Sequence, residues 1–72
     1  MIESVAGDVE LRAQTALRNS PIFALREVSV KQDGDRLLLS GRVASFYHKQ
    51  LAQEAVRTVA EDCHVVNYID VD

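Results

Sequence analysis

Val28-Ser29-Val30-Lys31-Gln32-Asp33-Gly34-Asp35-Arg36-Leu37-Leu38-Leu39-Ser40-Gly41-Arg42-Val43 reads as a β-hairpin. Val28 and Val30 alternate with Glu27, Ser29 and Lys31, the two-residue period of a half-buried strand. Leu37, Leu39, Gly41 and Val43 alternate in the same way with Leu38, Ser40 and Arg42. Asp33-Gly34 lies between the runs and signals a tight turn, because glycine accepts a positive φ without strain. A two-residue loop there pairs Gln32 with Asp35, Val30 with Leu37 and Val28 with Leu39, apolar against apolar. An odd-length loop without a bulge would set Lys31 against Leu37 and split the faces, so an even loop is expected.

Helical periods flank the hairpin. Over residues 7–19, Val9, Ala13, Ala16 and Leu17 form one apolar stripe. Asp8 and Glu10 near its start and Arg18 near its end suit the helix dipole. Pro21 ends it by lacking an amide hydrogen and by pushing Ser20 out of helical geometry. Ile22, Phe23 and Leu25 carry apolar surface across the connection. A second helix is predicted over residues 46–62, with Ser45 as N-cap. Its buried stripe is Leu51, Ala52, Ala55, Val56 and Val59, with Gln50, Gln53, Glu54 and Arg57 outward. A last strand is predicted over residues 65–71, with Val65, Asn67, Ile69 and Val71 on one face and Val66, Tyr68 and Asp70 on the other.

The order is α-β-β-α-β, which makes an α+β fold of two layers. Two helices pack on one face of a three-stranded mixed or antiparallel sheet. The helix between the second and third strands turns the chain around, so those strands run in the same direction. Whether the third lies beside the first or the second is open at this stage.

Composition narrows the function. At 72 residues there is room for one domain, with a core of about residues 8–71. A net charge of −3 argues against nucleic acid, where cationic side chains supply most of the affinity, and gives no general attraction to an anionic membrane. The one cysteine, Cys63, allows no intramolecular disulfide and no cysteine cluster for zinc. No run approaches the ~20 apolar residues of a membrane span. Met1-Ile2-Glu3-Ser4 lacks the basic and apolar segments of a signal peptide, so either a cytosolic protein or a domain cut from a longer exported chain is expected.

The ordered set of pieces resembles the BON domain, the bacterial osmotically inducible and nodulation domain. The hairpin Val28-Ser29-Val30, Asp33-Gly34 and Leu37-Leu38-Leu39-Ser40-Gly41-Arg42-Val43 is similar to that family's central hairpin. Leu51-Ala52-Gln53-Glu54-Ala55-Val56 is similar to its second helix, and Val65-Val66-Asn67-Tyr68-Ile69-Asp70-Val71 to its V-x-N-x-[IL]-x-V ending. Ala16-Leu17 with Pro21 fits its first helix. One departure is Glu61-Asp62-Cys63-His64, where the family often has a glycine near the helix end. The resemblance implies a non-catalytic binding module of the bacterial envelope or periplasm, thought to attach proteins to phospholipid membranes or envelope components, with no cofactor and no catalytic residues. The alternative is a protein–protein or dimerisation module with no lipid affinity, docking to a second copy or a neighbouring domain.

The motif residues read as structural. Gly34 serves the turn, Gly41 is expected to let a helix approach the sheet, and Asn67 needs a hydrogen-bond partner, expected in the 44–46 connection. Asp62, Cys63, His64 and His48 are the only metal or catalytic candidates, and neither their spacing nor an adjacent Cys-His pair supports a site. A capping Asp62, a half-buried Cys63 and an exposed His64 are expected instead. The glycines are isolated, which removes a phosphate loop. The element order resembles the K-homology RNA fold, but the G-x-x-G clamp is missing.

Two candidate binding surfaces remain. The sheet face away from the helices would expose Leu38, Ser40, Arg42, Val66 and Tyr68, with Glu27, Ser29 and Lys31 beside them. Such an apolar cluster rimmed by charge can mark a contact, self-association included, although scattered surface apolar residues are ordinary. The other is Phe46-Tyr47-His48-Lys49, where two aromatics and a lysine could enter a membrane interface. The simpler expectation there is that one aromatic closes the edge of the core and the other is a partly exposed neighbour.

Overall fold

The computed structural model describes residues 5–72, so the reading of residues 1–4, like that of the Asp8 side chain, lies outside the described residues. Helix α1 (Val5–Arg18) buries Ala13 and Leu17 and half-buries Val9 and Ala16, the expected stripe. The Asn19 amide donates to Thr15 O at 2.9 Å and closes the helix before Pro21. A 3₁₀ turn, Phe23–Glu27, then forms where only an apolar connection was expected. Residues three apart eclipse in such a turn. Leu25 therefore faces the core, while Phe23 and Arg26 share the outer side, the guanidinium 5.4 Å from the ring centroid.

The hairpin consists of β1 (Ser29–Asp33) and β2 (Arg36–Ser40), antiparallel. The even loop is present, but it is Gly34-Asp35 rather than Asp33-Gly34, and Val30 faces Leu39 rather than Leu37. The register has moved by two residues, which keeps every side chain on its expected face. The dihedral angles give the reason. Gly34 has φ +65°, and no residue other than glycine has a positive φ among those described. A glycine at the first loop position followed by a negative φ is the sign pattern of a type II′ turn. A loop at Asp33-Gly34 of type I′ would need positive φ at Asp33 as well. Asp33 stays in the strand and pairs with Arg36 at 2.8 Å.

Beyond β2 the chain breaks at Gly41 and resumes as β3 (Arg42–Val43). Gly41 has φ +133°, and a Cβ there would meet Glu27 O and Val28 Cα, each at 3.5 Å. The close neighbour is thus the backbone entering β1, not a helix. The glycine is required by its dihedral angle rather than by helix packing.

Helix α2 (Phe46–Val59) starts as expected: Ser45 Oγ accepts from the His48 amide at 3.2 Å. It ends three residues short of the predicted Asp62. Ala60, with φ −138°, has left helical geometry, and its amide reaches back only to Arg57 O. The Cys63 amide then donates to Ala60 O, so a turn takes the place of the family's usual glycine ending.

The final segment forms β4 (His64–Asn67) and β5 (Asp70–Val71), interrupted at Tyr68-Ile69. β4 runs parallel to β2 and β5 parallel to β3. Arg36 faces His64 and Val43 faces Val71, the same offset of 28 residues, so the two pairs form one ribbon across the break. The three-stranded sheet has the order β1-β2-β4 and is mixed, which places the third predicted strand beside the second. α1 packs on β1 and α2 on β4. Leu17, Leu25, Leu37, Leu39, Val56 and Ile69 fill the space between the layers.

Candidate functional site

Two surfaces follow from this framework. On the open face of the sheet, Lys31, Leu38 and Val66 stand in one row across three strands, and Ser29 faces Ser40 in the next. Leu38 and Val66 are half-buried rather than open to solvent, because neighbouring side chains in the pleat cover them. Ser40, Arg42 and Tyr68 are exposed as expected. Arg42 stands opposite Asp70 and pairs with Asp72 at 3.5 Å. The apolar area offered on this face therefore rests mainly on Tyr68.

The second surface is the end of the molecule where β3, β5, the start of α2 and the 3₁₀ turn meet. Phe46 is 61% exposed and Tyr47 68%, so neither aromatic closes the core. The helix period explains it. The inward stripe through Val56 and Ala52 continues back to the half-buried His48 and Lys49, which leaves positions 46 and 47 outside. Phe23, expected only to carry apolar surface across the connection, is 70% exposed on the adjoining turn, and Val71 is exposed on β5. The signal was present in sequence: Ile22, Phe23 and Leu25 are too close together to turn inward at once.

Charge is mixed at both ends. Asp33, Asp35, Glu61 and Asp62 lie by the hairpin turn and the end of α2, with Arg36 paired to Asp33, Arg12 donating to Val59 O and Arg57 beside Glu61. At the aromatic end Arg18, Arg26, Arg42 and Lys49 stand with Glu27, Asp70 and Asp72, four cations against three carboxylates. Arg26 is held in place by donating from Nε to Ser20 O at 2.9 Å.

Asn67 organises the sheet beneath. Its Nδ2 donates to Lys49 O at 3.0 Å and Gln53 Oε1 at 3.2 Å, and its Oδ1 accepts from the Ile69 amide at 3.1 Å. The partner is thus the first turns of α2, not the 44–46 connection, and Gln53 is turned inward to meet it rather than outward. The same side chain bridges the interruption between β4 and β5 and fixes the start of α2, where Phe46 and Tyr47 sit.

Cys63 is half-buried against the core and His64 is exposed, as expected. Asp62 is exposed in the turn and makes no capping bond, which corrects that expectation. Among the described residues no group of three or more His, Cys, Asp or Glu side chains could hold a metal ion, and no helix is long and apolar enough to cross a membrane.

Comparison with curated proteins gives no match. A family model described as the BON domain matches residues 5–72, nearly the whole chain. The chain belongs to the BON domain family, whose members are non-catalytic binding modules.

Proposed function

We propose that the domain attaches to phospholipid surfaces through the end that carries Phe46, Tyr47 and Phe23. The observation that carries this reading is the exposure of both aromatics at the start of α2, about two thirds of each, with Phe23 exposed on the adjoining turn. Aromatic rings favour the headgroup region, where one part of the ring is apolar and the rest is wet. Arg26 beside Phe23 supplies a cation at the same depth.

Magnitudes set the strength. Each ring has roughly 100 Å² left to bury, and about 25 cal/mol per Å² gives about 2.5 kcal/mol apiece. Three rings give roughly 7 kcal/mol, against a cost of about 4 kcal/mol or more for immobilising a rigid domain. Attachment is therefore weak and reversible, and copies linked in one chain would gain by effective concentration. With charges nearly balanced at this end, anionic lipid strengthens binding only modestly.

An NMR amide-shift titration with anionic and then zwitterionic lipid particles tests the proposal. The expected result is shifts at residues 23 and 46–49 with both, larger with anionic lipid. Shifts confined to Ser40, Arg42 and Tyr68 would move the contact to the open sheet face. No shift with either lipid would sink the direct lipid reading and leave a protein partner.

A further inference from the structure

The two edges of the sheet are treated differently. At the β1 edge, the outward Val30 amide donates to Gln14 Oε1 at 2.9 Å and the Gln32 amide to Glu10 Oε1 at 2.7 Å. Gln14 Nε2 in turn donates to Val28 O at 2.9 Å. Side chains of α1 thus occupy the groups that another strand would need, a protected edge. The β4 edge has no such cover. Amides of His64, Tyr68, Asp70 and Asp72 bond inward to Asp35, Leu39, Gly41 and Val43. In a ladder the alternate residues point the other way. Val65 and Asn67 therefore present amides and carbonyls outward, and among the described residues nothing bonds to them. Farther along, Asn67 Oδ1 takes the Ile69 amide and ends the free stretch.

A pocket of about 380 Å³ lies beside this edge, on the helix side. Gln53 and Arg57 of α2, with Ala60 and Glu61 just after it, form one wall, and Cys63, His64 and Val65 form the other. A free strand edge next to a helix-lined pocket is the arrangement for strand addition. Main-chain hydrogen bonds give affinity and the pocket takes alternate side chains.

Charge selects the occupant. Glu61 and Asp62 lie at one end of the free edge with Arg57, and Asp70 and Asp72 at the other with Arg42, which leaves each end with a net negative charge and Val65, Val66 and Asn67 uncharged between them. A second copy pairing antiparallel about Val66 would bring Asp62 against Asp70 of its partner, at both ends of the interface. Like charges placed opposite are destabilising. We propose that the outer edge of β4 docks an extended peptide from a partner protein, apolar or β-branched in its middle and basic at its ends. The free stretch at Val65–Asn67 adjoins the aromatic end only through Asp70 and Asp72, uses none of the three exposed rings, and stands independently of the lipid reading.

The test titrates the isotope-labelled chain with the capped peptide Lys-Lys-Val-Thr-Val-Thr-Lys-Lys. Three controls accompany it: a version with Glu at both ends, one N-methylated at alternate residues, and the Val65→Pro variant. Proline at position 65 removes an outward amide without breaking an internal hydrogen bond. The expected result is saturable shifts at Val65 and Asn67 with the lysine-ended peptide, lost on N-methylation and lost in Val65→Pro. Asp62→Lys and Asp70→Lys should each weaken that peptide by about threefold, as exposed charge pairs do, and strengthen the Glu-ended one. Equal binding of the N-methylated peptide, or no shift at these two residues, overturns the proposal. Shifts there that grow with the chain's own concentration, without peptide, overturn it in favour of self-pairing. The N-methylated peptide keeps the test decisive if Val65→Pro does not fold.

Discussion

Leu39→Ala is expected to lower the unfolding free energy by about 3 kcal/mol, read as a fall in the urea midpoint at unchanged slope. Leu39 has no exposed surface and sits on the central strand, between Val30 on one side and Asn67 on the other. Helices cover its face and strands flank it, so the cavity cannot collapse and its cost adds to the lost transfer energy. A chain of 72 residues has roughly 4–11 kcal/mol to lose. For a domain of this size, each kcal/mol moves the melting temperature by about 4–8 °C, so a fall on the order of 15 °C is expected. Leu38→Ala is the control one residue away. Leu38 is half-buried on the open face and leaves no enclosed cavity, so its loss should stay near 1 kcal/mol. If Leu38→Ala proved as damaging as Leu39→Ala, the open face would not be open.

Asn67→Asp is expected to cost about 2–3 kcal/mol at neutral pH, more than its size would suggest. The amide nitrogen faces two acceptors, Lys49 O and Gln53 Oε1. An ionised carboxylate faces Lys49 O with no donor between them, although the Gln53 amide can turn to donate, and an unpaired polar group away from water costs about 1–3 kcal/mol, more when charged. Protonating the new carboxyl restores one donor, so the loss should shrink as pH falls through the carboxylate range. Asn67→Ala differs in kind, because it also leaves the Ile69 amide without its acceptor but introduces no charge. Comparing the two variants by urea titration at neutral and acidic pH checks the assignment. Equal losses at both pH values for Asn67→Asp would show that the Nδ2 bonds contribute little.

The hairpin, both helices and their faces were legible because hydrophobic period reports burial directly. Val30, Leu37 and Leu39 are buried where alternation placed them, and Ala52 and Val56 where the helical stripe placed them. Parity also required an even loop, but it could not choose between loops two residues apart, since both keep the faces. That choice rests on dihedral angles at Asp33 and Gly34, which pattern does not carry. Strand adjacency was open for a similar reason: Val65 and Ile69 show which way they face, not which strand lies beside them. The site was legible only in part. Phe46 and Tyr47 were visible as residues, yet their exposure depends on where the stripe of α2 enters its first turn. Asn67 was recognisable as needing a partner, but that partner is a helix carbonyl, which no side-chain pattern marks.

Entry of the aromatic end into a lipid surface can be read directly by fluorescence. The chain contains no tryptophan, so Phe46→Trp supplies a single tryptophan at that end, excited apart from the two tyrosines. With the fold verified by circular dichroism, this variant is mixed with vesicles of phosphatidylcholine and phosphatidylglycerol, some carrying brominated acyl chains. The account predicts a blue shift of the emission and quenching by the bromine, with neither seen for Leu38→Trp on the open sheet face. Emission from Phe46→Trp that stays at its aqueous wavelength, unquenched at several millimolar lipid, would contradict it.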